Sequence, residues 1–135
     1  MDDPKESSRL STAQTFLVHV GHEDTQQAIT LLSPSVTFKV PGHHILSGVF
    51  SGRTEVEQHL AALTAATRGT FDLIQWEDWM EGTQHISVLA NVQMQREGSV
   101  FDGHFVILLR FDRDDRIDEI EVLADDQSKV DRFFA

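Results

Sequence analysis

The stretch QHISVLANVQMQREGSVFDGHFVILLRF, residues 84–111, decides the fold class. In its first half Ile86, Val88, Ala90, Val92 and Met94 fall on one face, while Gln93 and Gln95 fall on the other. Period two over that length marks a half-buried strand, because successive side chains leave a pleated chain on opposite sides. Glu97-Gly98 is a turn signal, and a second strand returns with Phe101, Gly103, Phe105, Ile107, Leu109 and Phe111 on one face. Val100, Val106 and Leu108 make its other face apolar as well, so this strand needs cover on both sides. Helices supply one cover. A second copy of the sheet is the expected other, which makes the chain a homodimer through its sheet.

Working outward, Thr70–Met80 reads as a strand turning at Glu81-Gly82, and Arg116–Ala124 as a strand entered through Asp112-Arg113-Asp114-Asp115. Ahead of this meander lies helical spacing. Leu10, Ala13, Phe16, Leu17 and Val20 form an amphipathic stripe ending near Gly21. A short helix with Ala28, Ile29, Leu31 and Leu32 is stopped by Ser33-Pro34. Val36–Val40 alternates as a strand, broken by Pro41-Gly42. Residues 41–52 read as a loop with room for a short strand at Ile45–Phe50. Thr54 and Glu57 form a capping box opening a third helix with Val56, Leu60 and Leu63 on one face. Asp125–Ala135 reads as a short helix or an extended arm. The order is α-α-β-α-β-β-β-β, an α+β class of curved antiparallel sheet wrapped around helices. Residues 1–9 are expected to be a disordered tail and 10–135 a single domain.

Composition narrows the function. The net charge is 11 − 22 = −11 and the basic residues are scattered, which excludes nucleic acid and anionic membrane surfaces as expected partners. There is no cysteine, hence no disulfide, thiolate nucleophile or thiolate metal site. No stretch approaches the ~20 apolar residues of a membrane span. The polar start, with no apolar signal region, makes the cytoplasm the expected location.

Several motifs occur in a telling order. Leu31-Leu32-Ser33-Pro34-Ser35-Val36 runs on to Pro41-Gly42. Leu46-Ser47-Gly48 precedes Gly52-Arg53, and Arg110-Phe111-Asp112 precedes Arg116-Ile117. From about residue 10 to the end, this arrangement resembles the nuclear transport factor 2-like superfamily, and within it the SnoaL-like (polyketide cyclase / ketosteroid isomerase-like) proteins. The resemblance implies a cone-shaped α+β barrel of the cystatin-like kind, a pocket between helices and sheet, and dimers through the sheet.

The steroid isomerases of that fold use a carboxylate base with a Tyr and a protonated Asp that hold the oxyanion. The positions that correspond here are Val40, Phe16 and Ile107. None of these side chains can take a proton or donate a hydrogen bond, and the chain has no Tyr. That mechanism is excluded. Parity and the family register together predict a ligand pocket lined by Phe16, Phe38, Val40, Trp76, Phe105, Ile107 and Ile120.

Four residues are candidates for chemistry. Asp78 shares the parity of Trp76, which would set a carboxylate beside an indole in an apolar cavity and raise its pKa. The competing reading leaves it in water at the strand end. His43 and His44 stand in the Pro-Gly loop at the expected pocket mouth, where imidazoles shuttle protons or hold a metal. No third ligand stands at a recognisable spacing, so no metal and no cofactor is expected. His59, one residue before Leu60, either reaches the cavity or is an ordinary half-buried helix residue. His104 is assigned to the outer face. Three functions stay open: a pocket for an apolar metabolite, an enzyme (isomerase, cyclase or hydrolase) acting on one through Asp78 or a loop histidine, and a dimeric interaction module without ligand.

Overall fold

The computed structural model describes residues 4–135, with side chains from Ser8 onward. Two helices, α1 (Pro4–Gly21) and α2 (Thr25–Ile29), lead into the hairpin β1 (Leu32–Val40) and β2 (Gly48–Ser51). Helix α3 (Gly52–Thr67) is followed by the meander β3 (Asp72–Glu81), β4 (His85–Arg96), β5 (Ser99–Phe111) and β6 (Ile117–Ala124), and α4 (Gln127–Phe133) closes the chain. The six strands form one curved, unclosed sheet in the order β2-β1-β6-β5-β4-β3. The class is α+β, as the sequence reading has it. One pairing differs from the antiparallel expectation: β6 returns beside β1 in the same direction, with Phe38 opposite Ile120.

The residues of the quoted stretch behave as their alternation demands. Ile86, Val88, Ala90, Val92 and Met94 are buried, as are Phe101, Phe105, Ile107, Leu109 and Phe111 on the paired strand. At Gly103 a Cβ would come within 2.8 Å of the Phe101 ring, so the glycine is what lets that ring lie back along its own strand. Helix α1 brings Ala13, Phe16 and Leu17 onto this face, and α3 brings Val56 and Leu60, at the three- and four-residue intervals that put side chains on one helical stripe. On the outer face Leu89 pairs with Val106, which pairs in turn with Leu123. Val106 and Leu123 are exposed, as is His104.

Three local readings change. Residues 4–9, expected to be tail, are helical, and only residues 1–3 of that segment lie outside the described ones. Proline suits a first helical turn, where its missing N–H has no intrahelical partner to lose. The anchor is Arg9, whose Nε donates to Asp115 Oδ1 at 2.7 Å and whose second nitrogen donates to the Thr83 carbonyl at 2.7 Å. Helix α3 starts at Gly52, ahead of the expected Thr54 cap, and the carboxylate that accepts a free N–H is Glu55, from Ser51, rather than Glu57. The first strand begins at Leu32 rather than Val36. Among the described residues no helix is long and apolar enough to cross a membrane.

Candidate functional site

Between α1, α3 and the concave face of the sheet lies a cavity of about 110 Å³. Phe16, Leu17 and Val20 enter from α1, and Leu60 and Leu63 from α3. Phe38 and Val40 on β1, Phe105 and Ile107 on β5, and Ile120 on β6 form the floor. The end is closed by Val130 and Phe134 after the chain turns back through α4, whose first turn is capped by Asp126 accepting from the Lys129 N–H at 3.2 Å. Phe134 thus acts as the closing arm, while its neighbour Phe133 packs against Phe101 at 5.5 Å. The lining contains no Lys, Arg, Asp or Glu; its polar side chains are His44, His59 and Gln127.

Gln127 is committed locally, its Nε2 donating to the Pro41 carbonyl and to Asp131 Oδ1. Each imidazole keeps one nitrogen that is not. His59 is 6% exposed and lies between Phe50, stacked at 4.4 Å, and Phe38 at 5.0 Å. Its Nδ1 has no protein partner. Burial, helped by repulsion from His44, holds its pKa down at about 4, so the ring is neutral at pH 7. His44 is half-buried near the Phe134 ring, at 5.3 Å. Its Nδ1 accepts from the Leu46 N–H at 3.1 Å, which places the proton of the neutral ring on Nε2. That Nε2 is buried and has no protein partner either. Burial lowers the His44 pKa, against smaller opposing pulls from Asp131 and from the Pro41 carbonyl, which lies near the ring without well-formed hydrogen-bond geometry to Nε2.

Of the seven expected lining residues, six line this cavity: Phe16, Phe38, Val40, Phe105, Ile107 and Ile120. The three positions that correspond to isomerase catalytic groups therefore share one cavity and leave it hydrocarbon there. Trp76 does not line it. It is half-buried further along β3, edge-to-face with Trp79 at 5.8 Å. Asp78 is exposed and sits at φ +53°. Trp76 pairs with buried Ala90 and so keeps the core face that parity gave it; parity fails at Asp78, because the second of the two register shifts in β3 falls between Glu77 and Met80. Each bulge inserts an unpaired residue and reverses the faces beyond it. Trp79 therefore packs on the core side, and the carboxylate that parity aimed inward is in water.

His43 and His44, adjacent in sequence, part company. The His43 ring is exposed, and only its backbone N–H is engaged, donating to Asp131 Oδ1 at 3.0 Å. Among the described residues no group of three His, Cys, Asp or Glu side chains is placed to hold a metal ion. Leu73 and Phe71, at the start of β3, join the lining without having been expected there; the apolar residue directly after Gly69-Thr70 was the available signal.

No protein-family model matches this chain, and no curated protein matches it. Solved structures do. A protein of unknown function with a cystatin-like fold from Xanthomonas campestris is 24% identical, with a TM-score of 0.87 over 94% of this chain and 98% of that one. A nuclear transport factor 2-like protein of unknown function from Burkholderia pseudomallei is 19% identical, with a TM-score of 0.85 over 95% and 98%. TerC, crystallised with polyporic acid, is 15% identical, with a TM-score of 0.82 over 94% and 98%. Similarity at this level establishes the shape of the chain.

Proposed function

We propose that this chain, which carries the nuclear transport factor 2-like fold, is a small-molecule pocket protein that encloses an apolar metabolite between its helices and its sheet. The supporting observation is the cavity itself. A hydrocarbon-lined pocket of about 110 Å³ that no side chain fills forgoes packing contacts that would otherwise stabilise the fold. Val40 and Val122 on its wall are small residues that larger ones would replace if stability were all that mattered. An unfilled cavity also argues against a pure interaction module. Affinity would come from buried hydrocarbon at about 25 cal/mol per Å². TerC, a chain of similar shape, was crystallised with polyporic acid, which supports this reading.

Calorimetry with toluene tests the reading. Saturable binding with a negative heat-capacity change and little salt dependence is expected, and Ile107→Asp should weaken it by setting a carboxyl where no partner stands. No saturable binding up to the solubility limit would refute it.

A second reading, catalysis on such a metabolite, is favoured by the two neutral imidazoles and no longer involves Asp78. We also propose that a second copy covers the outer face at Leu89, Val106 and Leu123, an apolar row that crosses β4, β5 and β6 and is centred on the one strand that is hydrophobic on both sides. Light scattering should give about 30 kDa, twice the chain mass of 15.2 kDa, and Val106→Glu should return it to the monomer. A concentration-independent monomer in the unaltered protein would refute this.

A further inference from the structure

Two neutral imidazoles and the locally bonded Gln127 are the polar side chains of a cavity lined otherwise by hydrocarbon. We infer that His44 and His59 together hold the polar end of the ligand, and that this ligand is a single-ring, phenol-like molecule with an uncharged hydroxyl. The inference rests on the pocket reading above and specifies its chemistry.

The size comes from the cavity. An apolar void of around 150 Å³ holds one benzene ring, and 110 Å³ is of that order. The preference for a ring comes from Phe16, Phe38, Phe71, Phe105 and Phe134, whose faces and edges suit aromatic contact. The polar end follows from the unpaired nitrogens. Buried polar groups are ordinarily hydrogen-bonded, yet His44 Nε2 and His59 Nδ1 have no protein partner although both rings line the same cavity. With its proton fixed on Nε2 by the Leu46 N–H, His44 is a donor. A neutral His59 offers one donor and one acceptor nitrogen. A hydroxyl, which accepts and donates at once, is the group whose hydrogen-bonding capacity matches these rings; a plain hydrocarbon matches neither. A carboxylate fits poorly, because the lining holds no Lys or Arg and the chain already carries −11.

Three single-ring probes test this on the intact protein: p-cresol, toluene and p-toluate, titrated at pH 7.5 with binding followed by calorimetry. Cresol should bind about tenfold tighter than toluene, the effect of one well-made buried hydrogen bond, and toluate at least about tenfold weaker than cresol. The cresol-to-toluene ratio should fall toward one in His59→Phe and in His44→Phe. The ratio is the readout, so a variant that binds both probes more weakly still answers. In the unaltered protein, nitrogen NMR should show the ring resonances of both histidines moving with cresol and far less with toluene. Equal affinity for cresol and toluene would overturn the histidine assignment while leaving the pocket standing. Toluate as the tightest binder would overturn it in favour of a charged-imidazole anion site. No binding of any probe would refute the pocket itself.

Discussion

Acidification should destabilise this protein through His59, and the amount can be worked out. In the unfolded chain a histidine titrates near 6.5, and in the folded chain burial holds His59 at about 4. Above pH 6.5 the ring is neutral in both states and the linkage term is zero. As pH falls below 6.5 the unfolded chain takes up the proton first, so stability is lost from there down to about pH 4 and then levels off. The loss is about 2 kcal/mol by pH 5 and about 3 kcal/mol by pH 4, at 1.36 kcal/mol per unit. His44, lowered by burial too, acts in the same direction. Asp102, Glu119 and Asp131 are held below their ordinary values by hydrogen bonds and nearby cations, so they add losses only at the acid end of the range. His59→Phe isolates the term. Phe38 and Phe50 already flank the ring, and phenylalanine leaves no unpaired nitrogen. Urea unfolding of both proteins from pH 7.5 to 4 should show the variant's advantage growing by about 3 kcal/mol. Parallel pH curves would refute the reasoning and place His59 in contact with water.

Other outcomes follow from the same contacts. Filling the cavity with Val40→Phe should raise stability by about 1 kcal/mol through the added buried hydrocarbon and reduce toluene affinity; a melting temperature that drops would mean the pocket is already closed in solution. Arg9→Ala should cost about 2 kcal/mol, because charged hydrogen bonds to Asp115 and the Thr83 carbonyl are lost, read as a lower urea midpoint at an unchanged slope. The unaltered chain should show no turnover of a β,γ-unsaturated ketosteroid, since Phe16, Val40 and Ile107 supply neither base nor oxyanion donor; turnover above background would require another base in the cavity.

The sheet was legible because burial and pleat share a period: every residue assigned to the core face from Ile86 to Met94 is buried. Phe16, Val40 and Ile107 come together across three elements as the family register implied, without any local signal linking them. What escaped was whatever breaks a period. The bulges of β3 have no sequence signature in Leu73–Met80; the one between Glu77 and Met80 moved Asp78 from where parity set it, while Trp76 kept its face but lies too far along the strand to reach the cavity. Arg9 escaped because its partners lie in turns more than seventy residues away. Nothing local distinguishes His44 from His43; the loop fold and the Leu46 N–H do that.

On the reading proposed above, this fold keeps an open, hydrocarbon-lined cavity for a small lipophile. A crystal structure under xenon pressure tests it most directly, since apolar voids of this size take up xenon. The account predicts a xenon site in contact with Phe16, Phe105 and Ile107, with His44 and His59 at its edge. Phe16 and Phe105 closed against each other, with no xenon between them, would contradict it.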